Sequence, residues 1–135
     1  MYTLGAIALT FLCGLLFEVA FGLVGSFLNR AIYSTTGITF LPIMISAALT
    51  GCAAYGSLFY ALKVIPQSNI AVTFWAILVL WSLAMIGNVL SHINADAAVI
   101  GTDLILQVFA YGAAILGNVL AAGHIRAERA IGDTD

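Results

Sequence analysis

Glu18 is the residue whose chemistry is hardest to explain away, because it sits in the middle of a long apolar run near the start of the chain. A charged side chain at the centre of a bilayer costs on the order of 3 kcal/mol on insertion scales, so it needs a partner, a proton or a water-filled cavity. A carboxyl withdrawn from water favours its neutral form, and a group that alternates between a proton and a cation has the chemistry of an exchange site. The structural alternative is a permanently protonated hydrogen-bond donor. On a helix Gly14 and Gly22 lie one turn either side of Glu18, with Gly25 one turn further on, so the carboxyl shares its face with residues small enough for another helix to approach. The expectation is a glutamate that faces protein and not lipid.

A second polar set lies late in the chain. Asp103, Gln107, Tyr111, Ala114 and Asn118 recur at helical spacing and make a polar or small stripe down one side. Asp103 stands near the end of its apolar run and reads equally as an interfacial hydrated residue or as a second proton site. On a neighbouring face Ala113, Gly117 and Ala121 form a ladder of small residues, the pattern by which membrane helices pack, within one chain or between two. Trp75 and Trp81 offer π faces to a cation or simply fill space between helices. Lys63 reads as a snorkelling helix end. His92 and His124 fall near opposite membrane faces, so no metal site is expected, and no cofactor motif is present.

The elements that must position these groups follow from composition. Of 135 residues 63% are hydrophobic and 7% charged, whereas a soluble domain carries about 25% charged residues. Half of the charged residues, Arg126, Glu128, Arg129, Asp133 and Asp135, are crowded into the last ten positions. Runs of roughly 20 apolar residues suffice to cross a bilayer. Four such runs are expected, over about 3–28, 40–62, 70–90 and 97–123, followed by a polar tail over 124–135. Asn29, Arg30 and the stretch Ser34, Thr35, Thr36, Gly37 supply the first connection, and Pro66, Gln67, Ser68 and Asn69 the second. Short connections give antiparallel neighbours, hence an all-α membrane protein with four transmembrane helices in an up-down bundle.

The first run has no basic segment before it and outruns a signal sequence, so it reads as retained. Cys13 and Cys52 lie in apolar runs and imply no disulfide framework. A net charge of −2 without a basic cluster argues against a nucleic-acid partner. The expected surroundings are the lipid bilayer. Lys63, Arg126 and Arg129 on the side of both termini, against Arg30 on the other, favour cytoplasmic termini.

With these features in place the chain resembles the small multidrug resistance family: four short helices and a single membrane-embedded glutamate in the first. Phe17-Glu18-Val19 resembles the segment around that glutamate, and Cys52-Ala53-Ala54 a small-residue stretch of the second helix. Ala61-Leu62-Lys63-Val64-Ile65-Pro66 resembles the close of that helix and is followed by Ala71 and Trp75; Ile100-Gly101 and Leu104-Ile105 resemble the opening of the fourth. The resemblance implies a bacterial inner-membrane protein, an antiparallel homodimer, Glu18 as shared proton and substrate site, and Trp75 as a wall of the binding chamber.

It also implies three functions: proton-coupled export of small organic cations, a transport-inactive accessory subunit of a larger membrane complex, or a subunit that moves a lipid carrier. None is an enzyme activity. The accessory alternative draws on departures from the pattern. Val72 or Thr73 stands where the family has a tyrosine, Ala54 where it has a serine, and Ala76-Ile77-Leu78 where a glycine pair lets the third helix kink. Labelling of a cysteine introduced into the 124–135 tail tests the topology: accessibility from the cytoplasmic side in most copies is expected, and equal labelling from both sides would indicate dual insertion.

Overall fold

A computed structural model describes residues 1–36, 40–93 and 100–132, with the side chains of 29, 33–36, 88, 89, 91–93, 100–104 and 132 outside the description. Four helices run in order: α1 (Tyr2–Thr36), α2 (Phe40–Val64), α3 (Ile70–Ile93) and α4 (Ile100–Gly132). Each is long and apolar enough to cross a membrane. The all-α, four-helix reading therefore holds.

Local chemistry sets the central connection. Ile65 precedes Pro66, whose ring disfavours a helical conformation in the residue before it, and α2 stops at Val64. The Ser68 amide and hydroxyl both donate to the Ile65 carbonyl, at 3.1 and 2.6 Å, and close the turn. Asn69 then caps α3, its Oδ1 accepting from the Val72 amide at 3.1 Å. The Asn69 amide donates to Thr3 Oγ1 at 3.2 Å, so α3 begins beside the start of α1. Lys63 meets Glu128 at 3.4 Å at the same end, which puts the end of α2 beside the end of α4. Phe40 and Phe109, edge to face at 6.5 Å, join the beginnings of the same two helices from the other direction. Alternate helices thus run up and down.

Two boundaries differ from the sequence expectation. α1 continues through Thr36, past Asn29 and Arg30, since neither residue interrupts a helix as glycine or proline does. The segment expected as a polar tail from 124 instead prolongs α4 to Gly132. Packing explains the extension: Ile125 is buried, and Arg129 donates to the Leu62 carbonyl at 3.1 Å and the Ser68 carbonyl at 3.0 Å. The guanidinium thereby satisfies one carbonyl that the end of α2 leaves open and one in the turn that follows it. Residues 97–99 and 133–135 of the expected segments lie outside the described residues.

Neighbouring helices go round the bundle as α1, α2, α4, α3. The interior is built of small side chains, Ala6, Ala47, Ala53, Ala54, Ala61, Ala114, Ala121 and Ala122, while Leu12, Leu16, Val19, Leu23 and Phe27 of α1 point outward. That inversion of a water-soluble core is what a hydrocarbon surrounding selects. The α2–α4 seam is the tightest. A Cβ on Gly51 would stand 3.0 Å from the Ala113 carbonyl oxygen, and a Cβ on Gly117 would overlap the Gly51 carbonyl. Ala121 continues the seam into the cluster of Leu58, Leu62, Ala122 and Ile125. The ladder of Ala113, Gly117 and Ala121 is therefore used inside the chain.

Gly117→Ala is expected to force α2 and α4 apart and destabilise the protein by about 1–3 kcal/mol, the usual range for overpacking. Gly112, whose Cβ would meet nothing within 4 Å, is the control. Gly112→Ala should be neutral or stabilising by up to about 1 kcal/mol through helix propensity. Denaturant midpoints in detergent compare the two.

Candidate functional site

Glu18 projects from the middle of α1 to a point where three cavities adjoin. The first, about 200 Å3, lies between α1 and α2 and is lined by Glu18, Gly22, Gly25, Ser26, Ser46 and Thr50 among others. A second of about 240 Å3 opens between α1 and α3, with Thr10, Gly14, Ser57, Ile77 and Trp81 in its wall. The third, about 160 Å3, reaches across to α4 and is lined by Glu18, Thr50, Trp81, Gln107 and Tyr111. The carboxyl is exposed in the single chain, and it has no hydrogen-bond or ion-pair partner among the described residues. The nearest approach to a charge network is elsewhere, at the end of α2, where Lys63 is held by Glu128 and lies 5.2 Å from the Phe59 ring centroid.

The three glycines expected beside Glu18 do line its cavities, but they differ in what they do. Gly25 is buried, with Leu49 at 3.4 Å from where its Cβ would be, and brings α1 onto α2. Gly14 faces Ser57 Oγ more loosely, at 3.9 Å. Gly22 meets nothing within 4 Å. It lines the first cavity and packs against no other helix of the chain.

Sequence reasoning paired Glu18 with Trp75. The structure does not bring those two together: Trp75 is 61% exposed and stands on an outer apolar face with Ile7, Val72 and Val79. Trp81, six residues further along α3, borders two of the Glu18 cavities instead. Of the stripe on α4, Gln107 and Tyr111 reach the third cavity, whereas Asn118 does not line any of the three and is 1% exposed, with both amide atoms unpaired. Asp103 lies in the first turn of α4, and its side chain is outside the described residues.

Sequence reasoning missed Thr10, Ser57 and Thr50. Thr10 was within reach, since Thr10, Gly14 and Glu18 repeat every four residues along one face of α1. Ser57 and Thr50 become visible when α1 is laid antiparallel on α2.

Three of the hydroxyls around the site share one orientation. Thr10 Oγ1 donates to the Ala6 carbonyl at 2.7 Å, Ser26 Oγ to Leu23 at 2.9 Å and Ser57 Oγ to Ala54 at 3.1 Å. Each has its single hydrogen engaged in its own helix and presents lone pairs elsewhere. Tyr111 is hydrogen-bonded to Ser82, whose Oγ in turn donates to the Leu78 carbonyl at 2.8 Å. Among the described residues no group of three or more metal-ligating side chains occurs.

A scan against protein-family models finds no match, and neither curated proteins nor solved structures match the chain. The class of the molecule is thus set by its fold and by this site: a four-helix protein apolar enough to cross a membrane, with a carboxyl among cavities that is unpaired among the described residues.

The contrast between the tryptophans is measurable. In vesicles of brominated lipid, fluorescence of a Trp81→Phe protein, which retains Trp75, should be quenched strongly by the acyl chains. A Trp75→Phe protein, reporting Trp81, should be quenched less.

Proposed function

We propose that this protein is a proton-coupled exporter of small organic cations, resembling the small multidrug resistance family, in which Glu18 holds either a proton or the cation. The observation that carries the proposal is the unpaired Glu18 carboxyl at the junction of three cavities. A structural hydrogen-bond donor would be expected to have an acceptor, and none among the described residues is paired with it. Trp81 adds an aromatic wall to two of the cavities, where an alkylated or planar cation gains from a π face.

In this reading Glu18 binds the cation only when ionised and releases it when protonated, which links two opposite fluxes through one group. The carboxyl is left exposed by a single chain, so a second copy in an antiparallel homodimer is the proposed cover for it. The membrane is proposed to be a bacterial inner membrane, with the ends of α2 and α4 and the start of α1, where Lys63, Arg126 and Arg129 gather, on the cytoplasmic side. The accessory-subunit and lipid-carrier alternatives make no use of an unpaired carboxyl.

The sign of the pH dependence follows from competition between cation and proton. Affinity is lost as pH falls through the titration of Glu18, by about tenfold per pH unit once the carboxyl is mostly protonated, and levels off at alkaline pH where it is ionised. Glu18→Gln keeps the shape and a hydrogen-bonding group but cannot carry charge. Calorimetry across a pH series should show cation binding and proton release for the wild type and neither for Glu18→Gln. Equal binding by both forms would defeat the exporter reading, and unaltered assembly of the variant without any cation binding by the wild type would favour the accessory subunit.

A further inference from the structure

The three cavities at Glu18 differ in their walls and in the direction they take. The second and third are bordered by Trp81. The first, between α1 and α2, is walled by the hydroxyls of Ser26, Ser46 and Thr50 and by the open backbone at Gly22 and Gly25. It starts at Glu18 and runs towards the end of α1. Ser26 stands eight positions after Glu18, about 12 Å along a helix, and the middle of the hydrocarbon lies about 15 Å from its edge. Arg30, one turn beyond Ser26, is exposed. The cavity therefore spans most of the distance between the carboxyl and the membrane face where α1 ends.

Its hydroxyls are ordered along that distance. Thr50 stands at the Glu18 end, since it also lines the third cavity beside the carboxyl. Ser46, one turn away on the antiparallel α2, is at the other end, its Oγ 4.0 Å from where a Cβ on Gly25 would be. Ser26 Oγ gives its hydrogen to the Leu23 carbonyl at 2.9 Å and so meets a water as an acceptor. A buried water needs roughly 10–15 Å3 and two to four polar partners. A cavity of about 200 Å3 with these walls takes several waters in contact with one another.

We propose that the cavity between α1 and α2 is a hydrated proton path to Glu18, leading from the membrane face where α1 ends, apart from the cavities that border Trp81. The inference rests on Glu18 changing its protonation state, as the exporter reading requires. It goes beyond that reading by giving the proton a route of its own within one chain. At each step one O–H bond forms on the receiving water as one breaks on the donor, so positive charge moves inward without displacement of an oxygen. The last transfer neutralises the Glu18 carboxylate. Ser26, Ser46 and Thr50 hold the waters in line and are not themselves ionised. An organic cation has to move bodily and needs an opening of its own width, whereas a proton needs only the file of waters.

The test is time-resolved infrared spectroscopy in lipid nanodiscs after a rapid pH jump, following the carboxyl band that Glu18→Gln lacks. Gly22→Val puts a side chain into the path, and its Cβ meets nothing within 4 Å. Ser46→Ala deletes one oxygen and serves if Gly22→Val does not fold, as judged by circular dichroism and gel filtration. Each should slow protonation of Glu18 by about five- to tenfold, the kinetic equivalent of one lost hydrogen bond. Alkylation of Ser26→Cys by a maleimide, with Cys13 and Cys52 replaced by alanine, blocks the far end of the path and should slow it at least as much. Ala84→Leu, which fills the cavities beside Trp81, should leave the rate within about twofold. Unchanged rates in the folded Gly22→Val, Ser46→Ala and alkylated proteins, or equal slowing by Ala84→Leu, would overturn the separate path and leave cation exchange at Glu18 standing. A wild-type Glu18 band that does not change between acid and alkaline pH would overturn both.

Discussion

The close approach of α2 and α4 at Gly51 and Gly117 fixes the rotation of α4, and with it which side chains can face Glu18. Gly117 has no room for a Cβ against the Gly51 carbonyl, and Gly51 none to spare against Ala113. With Ala113, Gly117 and Ala121 turned onto α2, the stripe of Gln107, Tyr111 and Asn118 lies roughly a quarter turn away around the helix. That places Gln107 and Tyr111 on the interior, across the third cavity from Glu18. The terminal end of the same seam is held by directed bonds. Tyr55 Oη and His124 Nδ1 are 2.8 Å apart, Tyr55 stacks on Phe59, and Arg129 binds carbonyls at Leu62 and Ser68. Register and rotation are thus fixed by different parts of one contact.

Small residues solve the packing problem of a bilayer and create the chemical one. Lipid tails are as apolar as leucine, so helices gain little by hiding large aliphatic groups from them, and close backbone contact through alanine and glycine takes over. A bundle packed this way has few side chains long enough to fill the space around a carboxyl. The cavities at Glu18 occur where α1 approaches its neighbours through Gly14 and Gly25 and where Gly22 leaves space beside it. Hydroxyls fit such an interior because each can return its hydrogen to a carbonyl of its own helix. The consequence is a carboxyl with no hydrogen-bond partner among the described residues. Its stability when ionised depends on water or a cation entering from outside the chain.

Much of this was legible in the sequence because hydrocarbon imposes coarse, length-based rules. Four apolar runs correspond to four helices, and an isolated glutamate in one of them marks the candidate site. Helix ends were less legible. Arg30 and Asn29 look like a boundary to hydropathy but do not break a helix, and the extension to Gly132 depends on Arg129 finding carbonyls across the bundle. Helix rotation was least legible. Trp75 and Trp81 are equivalent as residue types, and only packing decides that Trp81 borders the carboxyl while Trp75 is outside. The same holds for Asn118, which belongs to the polar stripe by spacing yet is enclosed away from the cavities.

Mechanical stiffness is unevenly shared among the four helices. α2 and α4 interlock by backbone contact and by bonds at their shared end, so separating them forfeits both. α3 runs unbroken from Ile70 to Ile93, with Gly87 as its single glycine. α1 buries little among the described residues beyond Ala6, Thr10 and Gly25, and its outward leucines and phenylalanines lose nothing by sliding against lipid. A change in the surroundings of Glu18 therefore costs least when α1 or α3 shifts as a rigid rod against a fixed α2–α4 pair, α3 being the less extensively packed of the two. An exchange of exposure by bending α3 would have to break helical hydrogen bonds in a medium that offers no replacement for them.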